Sequence, residues 1–249
     1  MITLFRRIRQ KLIDSGSVTK YLLYATGEIL LVVVGILIAL QVNNWNEERA
    51  NDKKAHDLAK ALIVEFQTNQ EQLEQLFEIH RDTDRASKKL LKMRNESHSE
   101  VKDDSLLDLL WPTYMMWTFD PVNGALRSGI SSGDINLLES DSLKAKLFQW
   151  EDLVSDLDEE ETRMINYEIV GREIKNEYVP TLHILHLRSG IPASMYKPEF
   201  EALLNSRAFE TYLTDKIFEI GSMRIEMRVL QEEASSIIEL LKKELKREY

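Results

Sequence analysis

Residues Tyr24–Trp45 read YATGEILLVVVGILIALQVNNW, a membrane span with a carboxylate, Glu28, set inside it. The apolar stretch extends from about Tyr21 to Val42. As an α-helix it rises about 30 Å, the thickness of a bilayer's hydrocarbon core. A cleaved signal peptide has a shorter apolar region and ends in small residues suited to cleavage. Here IALQVNNWNEE follows with no such pattern, so the reading is an uncleaved signal anchor. Arg6, Arg7, Arg9, Lys11 and Lys20 stand before it against the one acid Asp14. Basic flanks stay on the cytoplasmic side. The expected topology is therefore a single pass through the inner (cytoplasmic) membrane. Residues 1–20 form a cytoplasmic basic segment, 21–43 the transmembrane helix, and 44–249 a periplasmic helical bundle domain. Trp45 is expected at the outer interface, where membrane tryptophans concentrate.

Within the first segment Met1, Phe5, Ile8 and Leu12 recur at helical spacing, with Arg6, Arg9 and Lys11 between them. That pattern suits a short amphipathic helix lying on anionic lipid. An ordinary basic flank with incidental periodicity is the alternative.

Glu28 belongs to a stripe. Counting in helical steps, Ala25, Glu28, Val32, Gly35 and Ala39 share one side, and bulkier apolar residues surround them. Gly35 and Ala39 form a small-xxx-small pair, which lets two backbones approach closely. A carboxylate in lipid is expensive unless protonated, paired or turned toward protein. The stripe is thus expected to face another helix, from a second copy or another membrane protein. Otherwise Glu28, about two turns from the cytoplasmic edge, snorkels to it.

Two stretches carry a family resemblance. The first holds Tyr24-x-x-Gly27-Glu28-Ile29, then Gly35-Ile36-x-Ile38-Ala39-Leu40, then Asn43-Asn44-Trp45-Asn46. The second is TFDPVNGALRSGISSGDINLLESDSLKAKLFQWEDLVSDL, residues 118–157. Together they resemble a single-pass membrane family of the Bacteroidota, the domain of unknown function 6090 family. The resemblance implies organisation and host group, and it brings no catalytic residues. It marks Glu28, Gly35, Asn43, Asn44, Trp45 and Asn46 as signature positions.

Beyond the membrane the fold class is all-α. Nine glycines and five prolines in 249 residues favour long helices over many short strands. Residues 45–95 contain neither, and Leu58, Leu62, Phe66, Leu73 and Leu90 keep helical spacing. The spacing predicts a long helix continuing from the membrane helix, with a weak spot at Gln67–Gln72, where polar residues cluster. Pro112 and Pro121 bracket short helical pieces. A second long helix is predicted from Ser140 or Asp141 toward Tyr178, with Leu143, Leu147, Trp150, Val154, Leu157, Ile165 and Ile169 facing inward. A last one runs from about Ser206, with Phe209, Leu213, Ile217, Ile220, Met227, Leu230, Ala234 and Leu241 in a near-heptad stripe. The whole reads as an antiparallel bundle of long helices. The alternative is two coiled-coil arms around a small central subdomain.

Chemistry is thin. There is no cysteine, hence no disulfide and no thiolate metal site or nucleophile. The formal net charge is −10, with the acidic excess beyond the span, which argues against nucleic acid. His183 and His186 stand at i, i+3 but lack further ligands nearby, so packing or surface histidines are expected. The acidic run Glu151–Glu161 falls around a helix rather than at calcium-loop spacing and reads as a solvated face. Neither a phosphate-binding glycine loop nor a nucleophile motif is present. No metal or cofactor is expected. Trp111, Trp117, Phe119 and Trp150 either cap the bundle core or line a recognition groove, since broken helices leave clefts.

The expected function is therefore that of a membrane-anchored, non-enzymatic envelope protein. It would be a scaffold or accessory subunit acting through helix–helix contacts on the lipid bilayer. The alternative is a periplasmic ligand-binding sensor module. Some twenty cytoplasmic residues hold no output domain, so a sensor would signal through a partner protein.

Overall fold

The computed structural model describes residues 18–94 and 103–246, all of them helix or connecting loop, with no strand among the described residues. Of the basic segment read from residues 1–20, residues 1–17 lie outside them. In chain order the helices are α1 (Val18–Lys92), α2 (Asp103–Tyr114), α3 (Gly124–Ser132), α4 (Asp141–Tyr178), α5 (Thr181–Ser189), α6 (Phe200–Asn205) and α7 (Arg207–Glu244). A 3-10 turn, Asp134–Leu137, joins α3 to α4.

The chain divides into two units, Met1–Lys54 and Ala55–Tyr249. The first holds a helix long and apolar enough to cross a membrane, and none of its apolar window is buried. Its Thr26 hydroxyl donates to Leu22 O at 2.9 Å, which satisfies a polar group inside the helix itself. Trp45 is exposed, with the Arg49 guanidinium 5.8 Å from its ring centre.

In the second unit the polar cluster Gln67–Gln72 does not weaken α1, which passes through it unbroken. Asn69 explains why. It is fully buried, and its amide donates to Val122 O and accepts from Val122 N, both at 2.8 Å. A side chain here pairs with loop backbone as a strand would. One turn earlier, Glu65 accepts from Ala125 N at 2.6 Å and Leu126 N at 3.0 Å. These are orphan amides of the first turn of α3, whose own N-cap residue Asn123 makes no side-chain cap bond. The carboxylate also meets the positive end of the α3 dipole.

Helix α4 starts as its sequence indicates, with the Ser140 hydroxyl accepting from Leu143 N. Ser206 caps α7 in the same way. Lys146 meets Glu233, and Lys216 meets Glu168. Partner numbers thus fall in α7 as they rise in α4, so this pair runs in opposite directions.

Two apolar clusters form along the unit. One gathers Leu62, Phe66, Leu143, Leu147, Trp150 and Met223–Leu241, with Phe66 edge-on to Trp150 at 4.9 Å. The other gathers Leu90, Leu106, Leu110, Val179, Phe209 and Leu213. Burying one such side chain contributes about 1.5–3 kcal/mol. Between the clusters every long helix turns polar. Helix α1 buries His80, Thr83 and Ser87 there, α4 buries Glu168 and Lys175, and α7 buries Lys216. The inward stripe expected of α4 is corrected at this point: Ile165 and Ile169 are exposed, and Met164 and Glu168 are inside.

Candidate functional site

The polar layer converges on one carbonyl. Thr113 lies in the last turn of α2, where carbonyls have no partner within the helix. Lys175 Nζ, Tyr212 Oη and Lys216 Nζ all donate to Thr113 O, at 2.5, 2.8 and 2.9 Å. The negative end of the α2 dipole favours the two ammonium groups. Glu168 supplies their counter-charge, accepting from Lys175 at 2.8 Å and Lys216 at 2.5 Å. The Tyr212 hydroxyl stands 2.7 Å from Glu168 and accepts from both lysines. Lys175 also sits 4.0 Å from the ring centre of Tyr114.

Two buried cations therefore share one buried anion. Burial pulls Lys175 down to about 7, against the pull of Glu168. Burial lowers Lys216 as well, again opposed by Glu168. Burial pushes the Glu168 carboxyl up, but the two ammonium groups outweigh it and hold the group below its ordinary value. Burial, helped by the Glu168 charge, drives Tyr212 well above the usual phenol range. His80 falls to about 4, through burial first and the Lys216 charge second. The layer is not fully satisfied: His80 Nε2, Ser87 Oγ and Tyr114 Oη have no hydrogen-bond partner. Lys175 is wholly buried, and Glu168 and Lys216 are nearly so.

An open recess of about 470 Å³ lies along the acidic part of α4, lined by Phe119, Trp150, Asp158 and Glu161 among others. The Glu151–Glu161 run is thus not simply a solvated face. Glu161 is only 2% exposed and accepts from Phe119 N at 2.8 Å. Burial lifts its carboxyl to about 7, the Phe119 amide opposes that, and Asp158 adds to it.

Of the four aromatics singled out from sequence, Phe119 and Trp150 line this recess. Trp117 is exposed, and Trp111 packs at the other apolar cluster beneath the Arg188 guanidinium, 4.2 Å away. His183 and His186 bond Tyr196 O and Ile191 O, holding the loop that follows α5, and belong to no cluster of metal ligands among the described residues. Along the apolar helix, Val32, Gly35 and Ala39 are exposed, and Ala25 and Glu28 are half-buried. A Cβ added at Gly35 would meet nothing within 4 Å.

Sequence reasoning missed Glu161, Glu168, Lys175 and Lys216, although a signal for them exists. Carrying the phase of Leu143, Leu147, Trp150 and Leu157 onward by alternate steps of four and three reaches Glu161, Met164, Glu168, Gly171 and Lys175. The same phase in α7 passes through Lys216, while Ile217 is only half-buried. Charges at core phase were the clue.

Residues 28–153 match a family of unknown function, DUF6090. The chain belongs to this family. The DUF6090 match takes in the apolar helix from Glu28 on, Glu65, Asn69, Phe119 and Trp150, and ends before Asp158, Glu161 and the lysine pair. No curated protein and no solved structure matches the chain.

Proposed function

We propose that this DUF6090 chain is a membrane-anchored envelope scaffold or accessory subunit that works through helix–helix contacts. The observation that carries the reading is the apolar helix of the first unit, none of whose membrane-length window is buried. Such a surface needs cover from lipid or from other helices. The reading places it in the inner membrane of a Bacteroidota cell, N-terminus inside, with the second unit as a periplasmic antiparallel bundle. The stripe of Ala25, Glu28, Val32, Gly35 and Ala39 is the proposed contact face with a second copy or another membrane protein. Cross-linking in native membranes tests it. Gly35→Leu should reduce the cross-linked species strongly, because its bulk separates the backbones. Leu37→Ala should leave them intact. The opposite ranking, or no effect from either, removes the contact face and leaves an anchor only.

A second reading, a periplasmic ligand-binding sensor signalling through a partner protein, is favoured by one feature. The recess of about 470 Å³ lies within the range of small-molecule sites, about 300–1,000 Å³.

A further inference from the structure

The recess along α4 has an uneven chemistry. Phe119 and Trp150 form an apolar wall, and Asp120, Glu151, Asp158 and Glu161 supply four carboxyl groups. Arg127 is the one cation among the lining residues, and its guanidinium is 3.8 Å from Glu151. Glu161 is the best-shielded acid of the four. Only its Oε1 is bonded, to the Phe119 amide, and among the described residues no lysine or arginine pairs with it. A buried carboxylate without a cation is costly, and a cation brought against it relieves that cost.

We propose that this recess binds a small organic cation, an alkylammonium group whose nitrogen meets the Glu161 carboxylate and whose carbon chain lies along Phe119 and Trp150. The proposal deepens the ligand-binding reading above and rests on it. Three features select this class. Surplus carboxylates repel an anion. The apolar wall gives a carbon chain its burial. Among the described residues no three acids or histidines stand close enough together to hold a metal ion, so a bare divalent cation lacks its ligand shell. Binding would reach the bundle directly, since the Phe119 loop is tied to α1 through Asn69 and to α4 through Glu161.

The test is calorimetric titration of the full chain in detergent micelles with three probes of similar size: butylammonium, butan-1-ol and butyrate. Butylammonium is expected to bind, and the other two to fail at the same concentrations. Glu161→Gln should weaken butylammonium at least tenfold with helix content unchanged. Val154→Trp, which fills the recess from another side and leaves the carboxyl untouched, should abolish binding. If butan-1-ol or butyrate binds as well as butylammonium, and Glu161→Gln changes nothing, the ligand class is wrong and the ligand-binding reading stands. If none of the three binds, both fall.

Discussion

Gly171 on α4 lies directly under the ring of Tyr212 on α7, so close that a Cβ on the glycine would overlap the ring. The missing side chain lets the tyrosine hydroxyl reach Thr113 O and Glu168 together. Gly171→Ala should therefore push the ring out and strip the lysines of a shared acceptor. Overpacking costs about 1–3 kcal/mol, and the broken buried bonds add about 1–3 more. Gly221, one helix position with open space around its Cα, is the control. Gly221→Ala should raise stability by about 0.5–1 kcal/mol through helix propensity alone. Thermal unfolding of the two variants in micelles should move in opposite directions; equal shifts would refute the packing argument.

The Glu168 cluster makes a non-additive prediction. Glu168→Gln leaves two buried ammonium groups without an anion and should cost about 3–5 kcal/mol. Lys216→Met leaves Glu168 paired with Lys175 and should cost distinctly less. Replacing all three charges together, with Glu168→Leu, Lys175→Met and Lys216→Met, keeps the Tyr212 bond to Thr113 O and should recover most of the loss. A triple variant as unstable as the sum of its parts would show that the charges stabilise the fold outright.

Stability against pH follows from three shifts. Glu161 rises from an ordinary 4.5 to about 7, so the folded chain holds a proton that the unfolded chain has lost. Its contribution falls as pH rises between those values. His80 drops from 6.5 to about 4, so its contribution grows as pH rises through that window. The two oppose each other between pH 4.5 and 6.5, and the unfolding midpoint should change little there. Glu161→Gln should unmask the histidine as a rise of at most about 1.4 kcal/mol per pH unit. Lys175, pulled from 10.5 to about 7, makes stability rise with pH above neutrality, a slope that Lys175→Met should reduce. An unchanged profile in Glu161→Gln would sink the assignment.

Topology is checked separately. A reporter fused after Tyr249 that functions only outside the cytoplasm should be active. Activity from a cytoplasm-only reporter at the same site would reverse the proposed orientation.

Hydropathy and helical period act locally, and what depends on them was legible in the sequence. The apolar helix ahead of Trp45, the all-helical class and the caps at Ser140 and Ser206 each rest on residues within a few positions of one another. The polar layer does not. Glu168 at a core position looks like any surface glutamate until Lys216 on α7 and the carbonyl end of α2 are brought to it. Glu65 and Asn69 look like breaks in an apolar stripe until Val122 and the first turn of α3, 53 to 61 residues on, present their amides. The recess brings Phe119 and Glu161 together across 42 residues of chain. Burial makes each of these polar groups depend on a partner distant in the chain, so tertiary packing alone decided where they stand and what they can do.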